Sequence, residues 1–150
     1  MVQDVRGAFP HLQREIRSER CNHCENASCV RCCPTGASHV AKGGIVLVNR
    51  DECTGCKACI TSCPYDARFV SPEGYADKCT FCIHRVKQGL DPACVAVRPT
   101  KCMPFGDRDD PNRIVSKLLA SRAHHTLIPE AGTQPKVFLF ELRRADRETG

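Results

Sequence analysis

Cysteine recurs at fixed spacing three times between residues 21 and 102, and that recurrence limits what this chain can fold into. The first run is Cys21-x2-Cys24-x4-Cys29-x3-Cys33-Pro34, and the second is Cys53-x2-Cys56-x2-Cys59-x3-Cys63-Pro64. The third is stretched, Cys79-x2-Cys82-x11-Cys94, and it carries Arg98-Pro99 where the others carry Cys-Pro. The cysteines number 13, an odd count, and Cys32 adjoins Cys33, so a disulfide scaffold fits poorly. The first 20 residues are charged throughout and contain no apolar stretch of the kind an export signal carries. A reducing, cytoplasmic setting with thiolates free to bind metal is therefore expected.

Aromatic residues make up only 5% of the 150 positions and tryptophan is absent, so an ordinary apolar core would be thin. Something inorganic is expected to fill the middle. The second run has the spacing of bacterial two-cluster ferredoxins. Three closely spaced thiolates can hold three corners of one cubane, while the fourth cysteine, displaced by the turn before proline, reaches the other cubane. The two runs thus exchange ligands. One [4Fe–4S] cluster is expected on Cys21, Cys24, Cys29 and Cys63, and another on Cys53, Cys56, Cys59 and Cys33. Zinc is the alternative, but its sites usually join two separated cysteine pairs, and a third cysteine followed by Cys-Pro does not fit that pattern.

In the third run, Cys79, Cys82 and Cys94 can hold three corners of a third cubane. By the exchange rule, position 98 would serve a fourth cluster, and these residues contain no fourth run; the arginine stands where a ligand would have nothing to bind. The third cluster's own fourth ligand is then in question. Cys102, where the other runs have Ala37 and Ala67, is the nearest candidate. A [3Fe–4S] cluster, a non-cysteine ligand and an empty site are the alternatives. Twelve ligands leave Cys32 over, read as a buried inert thiol.

The segments "CNHCENASCVRCCPTGA", "CTGCKACITSCPYDAR" and "DKCTFCIHRVKQGLDPAC" resemble the last three cysteine motifs of the iron–sulfur subunits of DMSO-reductase-family enzymes, the polysulfide, tetrathionate and formate dehydrogenase types. "FGDRDDPNR" and "LIPEAGTQPKVFLF" are similar to the C-terminal segment of that family, so the resemblance covers roughly residues 20–142. It implies a non-catalytic electron wire. The implied partners are a large molybdenum or tungsten pterin catalytic subunit and a quinone-linked membrane subunit or another redox protein. This sequence departs from the pattern by lacking the family's N-terminal motif and the cysteine at 98. By the resemblance, the missing cluster is the one nearest the catalytic subunit. Such subunits can also be co-exported with a partner.

The expected fold is α+β: a bacterial-ferredoxin-like domain of short β-hairpins and helices around the clusters, with a C-terminal helix and strand extension. Residues 1–20 read as a lead-in, helical in 11–20; residues 21–106 as the cluster domain; residues 107–150 as an extension for subunit docking. "SHVAKGGIVLV" reads as a hairpin turning at Lys42-Gly43-Gly44, and "ARFVSPEGYA" as a second strand-and-turn unit. Asp110-Pro111 reads as a helix start with Ile114, Val115, Leu118 and Leu119 on one face; "IPEAGTQP" is a loop and "KVFLFEL" a strand.

Smaller signals have bland alternatives. His23 can ligate iron or, more usually, hydrogen-bond beside a cluster. Lys57, Lys78 and Arg98 can raise cluster potentials or simply keep the surface soluble. His124-His125 can be haem ligands or polar surface. The net charge of +5 reads as a solvated surface rather than a nucleic-acid footprint. No run reaches the ~20 apolar residues of a membrane span. There is no Ser-His-Asp set, phosphate-cradling loop or spaced carboxylate pair. Single-electron transfer as an oxidoreductase subunit is the leading expectation. An autonomous polyferredoxin and, further off, a zinc-bound nucleic-acid module are the alternatives.

Overall fold

The computed structural model describes residues 2–17 and 20–140. Its first unit corrects the expected helix in 11–20. Strands β1 (Val2–Arg6) and β2 (Gln13–Arg17) pair antiparallel, with Val2 opposite Arg17 and Arg6 opposite Gln13. An isolated ten-residue helix is marginal in water; pairing gives each strand backbone partners along one edge and leaves the other edge to solvent. Gly7 opens the turn at φ +94°, where a Cβ would collide with the His11 carbonyl.

The first two cysteine runs have the same plan. Each bends through its leading cysteines, makes one helical turn, α1 (Ser28–Arg31) or α2 (Ala58–Thr61), and leaves through Cys-Pro into a hairpin. The helices stop after one turn because proline follows and disfavours helical geometry in the residue before it. In the first run the hairpin joins β3 (Ser38–Ala41) to β4 (Ile45–Val48), Ser38 opposite Val48. Gly43 and Gly44 turn it at φ +82° and +72°. The second hairpin joins β5 (Arg68–Val70) to β6 (Ala76–Lys78). Both agree with the sequence reading.

α1 packs against α2. Ser28 Oγ donates to the Ser62 carbonyl at 2.8 Å, and Ser62 Oγ donates to the Cys59 carbonyl at 3.3 Å. The buried core around them is Ala27, Cys29, Val46, Cys59 and Ala76, flanked by Cys24, Cys32 and Cys53. Small residues and thiols fill the place where a domain of this size would hold large apolar side chains. Each such side chain would add about 1.5–3 kcal/mol.

The third run contributes two single-turn helices, α3 (Ile83–Val86) and α4 (Ala93–Ala96). Beyond it, helix α5 (Ile114–Ser121) begins later than expected, with Arg113 as its N-cap. Asp110 is occupied instead in a preceding turn. Its side chain accepts from the Asn112 amide at 2.9 Å, and its carbonyl accepts from Ser116 Oγ at 2.6 Å. No α5 residue is buried, and Ile114 remains 56% exposed. β7 (His124–His125) pairs with β8 (Leu139–Phe140), which is the strand within the described part of the expected 136–142. The stretch expected as a loop includes a 3-10 turn at Pro129–Ala131. Residues 141–150 lie outside the described residues.

Residues 132–136 then return to the first cysteine run as a strap. Glu25 and Asn26 amides donate to the Gln134 and Thr133 carbonyls at 2.9 and 3.0 Å, and the Lys136 amide donates to the Asn22 carbonyl at 2.9 Å. No described helix is long and apolar enough to cross a membrane.

Candidate metal centres

Two cavities gather thiols in fours. One is lined by Cys21, Cys24, Cys29 and Cys63, the other by Cys33, Cys53, Cys56 and Cys59. In each set three thiols come from one run and the fourth from the other run's Cys-Pro turn. Cys32 lines neither cavity. Among the described residues, no three Cys, His, Asp or Glu side chains converge as they would on a single metal ion.

The bend that aims each C-x2-C pair has one backbone device. The residue before the second cysteine is left-handed in all three runs: His23 at φ 44°, Gly55 at φ 68°, Phe81 at φ 51°. Glycine enters that region freely; other residues do so at a cost of order 1–3 kcal/mol. His23 and Phe81 offset part of it by stacking, ring centroids 3.7 Å apart and planes 19° apart. Phe105 meets Phe81 edge-on at 5.5 Å. The first and third runs are thus joined ring to ring. At Gly55 a Cβ would lie 2.6 Å from the Gly74 carbonyl, so glycine is required there.

His23 is fully buried, and its Nδ1 accepts from the Val46 amide at 3.1 Å, which leaves the proton on Nε2. Burial, reinforced by Lys78 and Lys136, pulls its pKa down to about 3 while the Cys79 carbonyl pulls the other way, so the ring is neutral. Backbone amides donate to sulfur at Cys21, Cys33 and Cys53, at 3.4, 3.4 and 3.5 Å. Such donors favour thiolate. The Ser38 amide is the main reason Cys33 is lowered, whereas burial raises Cys24, Cys29 and Cys59.

Of the cations singled out in the sequence, Lys78 is buried, with Nζ donating to the Cys79 carbonyl at 2.7 Å. Burial lowers its pKa, against the pull of the Cys21 thiol. Lys57 is exposed at the rim of the second cavity, and Arg98 is half-buried. His124 and His125 are exposed, His124 standing edge-on to Phe138.

Sequence reasoning missed Arg68. It is 4% exposed, and its Nη2 donates to Cys29 Sγ at 3.0 Å and Ser38 Oγ at 2.7 Å. Its Nε and Nη1 are buried without an acceptor. The available signal was the repeat itself: counted from Cys-Pro, Arg68 falls where the first run has Ser38. Missed too was the strap, whose Thr133 Oγ1 lies 2.5 Å from Tyr65 Oη beside the first cavity.

The third set is more open. Cys79 and Cys82 are half-buried; Cys94 and Cys102 are exposed, and none of the four lines either cavity. Arg20 donates through Nη1 to Cys94 Sγ at 3.2 Å and through Nη2 to Met103 Sδ at 3.3 Å. Arg98 Nη1 lies 3.6 Å from Cys102 Sγ, and Thr100 followed by Arg98 lowers that thiol.

The charge balance tests what the cavities suit. Among the described residues Arg68 and Lys78 are buried, and no Asp or Glu is. Buried cations need anionic partners. A cubane ringed by four thiolates is anionic, and the unsatisfied Arg68 donors fit it. Residues 12–108 match the 4Fe-4S dicluster domain. The chain belongs to that family.

As a 4Fe-4S dicluster protein it carries its cysteines for [4Fe–4S] clusters, in a ferredoxin-like domain of small sheets and helices. It is 47% identical over 142 residues to a polysulfide reductase chain of Wolinella succinogenes, covering 92% of this chain and 73% of that one. A tetrathionate reductase subunit of Salmonella typhimurium is 45% identical over 125 residues, 81% of this chain and 50% of that one. The arsenate respiratory reductase iron-sulfur subunit ArrB of Shewanella sp. strain ANA-3 is 34% identical over 186 residues, 91% and 80% of the two chains. Among the relatives the chain spans as little as 50 to 55% of their length.

Proposed function

We propose that this chain is the electron-transfer subunit of a molybdenum or tungsten pterin oxidoreductase complex, with no catalytic site of its own. The observation that carries the reading is the pair of four-thiol cavities with buried cations and, among the described residues, no buried carboxylate around them. The relatives named as reductase subunits support the kind of complex. The proposed ligand sets are Cys21, Cys24, Cys29 and Cys63 for one cluster and Cys53, Cys56, Cys59 and Cys33 for the second. A third cluster is assigned to Cys79, Cys82, Cys94 and Cys102.

The clusters, when bound, supply one-electron chemistry; the chain's residues do the rest. Amides beside Cys21, Cys33 and Cys53 steady the thiolates. Val46 and Tyr65 line the first cavity, and the strap's Thr133 holds the Tyr65 hydroxyl at its edge. Lys78 and Arg68 favour the reduced state by placing positive charge where an electron arrives.

A large pterin subunit is the proposed first partner and a quinone-reactive membrane subunit the second. The exposed apolar side chains at Ile114 and Val97, 56% and 76% exposed, suit burial against such a protein. One observation favours an autonomous polyferredoxin: the strap uses part of the C-terminal extension on the chain's own cluster domain. Purifying the protein from its native host decides. Recovery with a large pterin-containing subunit is expected; a monomer alone in every preparation overturns the complex. A brown protein is expected, and a colourless one holding zinc refutes the cluster assignment itself.

A further inference from the structure

We propose that Arg68 serves two metal centres at once: one guanidinium, held between the thiol sets, raises both reduction potentials together. The proposal rests on the reading of the two cavities as [4Fe–4S] sites.

The geometry is specific to this residue. Arg68 lines the first cavity and donates to Cys29, a thiol of that set. Cys59, a thiol of the second set, lies in the same buried cluster as Cys29. Ser38, the other acceptor of Arg68, lines the second cavity, and its amide donates to Cys33 Sγ, a thiol of the second set. The hydrogen bond to Ser38 fixes the guanidinium across the junction of the runs, because Ser38 is the position equivalent to Arg68 in the other run. A symmetric pair of arginines would repel; one arginine bonded to one serine places a single cation between the halves. Nε and Nη1, buried without acceptors, remain as donors toward cluster or thiolate sulfur.

Reducing either centre by one electron from a soluble low-potential donor adds one negative charge and makes or breaks no bond. A buried cation lowers the energy of that added charge, and salt screens a buried pair far less than a surface one. Since the cation lines one cavity and is bonded to the lining of the other, both midpoints respond to its loss.

The experiment is an EPR-monitored potentiometric titration of the holoprotein as wild type, Arg68→Lys and Arg68→Gln, with iron content measured in parallel. Arg68→Gln is expected to move both midpoints to lower potential, with Arg68→Lys falling between. Neither midpoint moving, or only one, overturns the proposal. A loading failure in Arg68→Gln is covered by a second measurement on wild-type protein labelled with 15N-arginine. Spin-echo modulation from guanidinium nitrogen is expected on both reduced signals and should vanish in Arg68→Lys. Modulation on one signal alone, or on neither, also overturns it. Wild-type protein without cluster iron refutes the underlying cluster reading instead, and the proposal with it.

Discussion

The thiol of Cys32 lies 3.1 Å from the hydroxyl of Ser62, and the two residues hold the same position in their runs, each just before Cys-Pro. The halves meet where α1 packs on α2, so equivalent residues become partners. This gives the odd cysteine a structural place. Cys32→Ser puts a hydroxyl opposite a hydroxyl, and stability should change by less than about 1 kcal/mol. Iron content and EPR spectra should match wild type. Loss of iron in this variant would make Cys32 a ligand and break the assignment of the two sets.

The ring stack of His23 on Phe81 predicts coupling between the first and third runs. Stacked aromatic pairs are worth about 0.5–1.5 kcal/mol beyond burial. His23→Gly and Phe81→Gly each relieve a left-handed backbone but lose the stack. In a double-mutant cycle the two should couple by about 1 kcal/mol, roughly a fivefold change in unfolding equilibrium. Additive effects on denaturant-induced loss of visible absorbance would show that the rings touch without energetic consequence.

Tyr65 and Thr133 tie the strap over the first cavity. Tyr65→Phe removes one partner of the buried Thr133 hydroxyl, at a cost of about 1 kcal/mol. Bleaching by oxygen or chelator should accelerate for the EPR signal of one cluster and not the other. Uniform acceleration of both signals would count against a local role for the strap.

Cys102 is exposed, and both Thr100 and Arg98 hold its thiol below its ordinary value. Three cubanes would give about 12 iron atoms per chain. Cys102→Ser should lower that number or produce a three-iron signal in oxidised protein. Arg98→Cys should not add a cluster, because these residues offer no further triple to share it. A wild-type count near 8, two cubanes' worth, would mean that Cys79, Cys82 and Cys94 hold none.

Removing the metal tests what holds the fold. The buried cluster of Ala27, Cys29, Val46, Cys59 and Ala76 is small, and Arg68 and Lys78 lie buried beside it. Apo-protein should lose most cooperative structure, as small metal domains do. A sharp native-like thermal transition without iron would contradict this.

The gathering of thiols from two runs and the hairpin at Gly43-Gly44 were legible because their chemistry is local: spacing, proline and turn glycines act within a few residues. The lead-in was not, since whether Gln13–Arg17 is helix or strand depends on the partner strand Val2–Arg6. Asp110 has the right residue types for a helix start, yet its side chain and carbonyl are taken by Asn112, Arg113 and Ser116. Arg68 carries no local mark of its burial, which comes from its contacts with Cys29 and Ser38 in the other run. The strap was invisible because its partners lie far away in sequence, Asn26 Nδ2 donating to the Gly132 carbonyl across 106 positions.

That separation sets an order of manufacture. Cys21, Cys24, Cys29 and Cys63 leave the ribosome well before Thr133, while the bonds that lock their cavity need Gly132, Thr133, Gln134 and Lys136. Until those residues are made, the first cavity lacks the edge that Thr133 closes through Tyr65. A chain cut short before Gly132 would keep all eight thiols of the two sets and lose that closure.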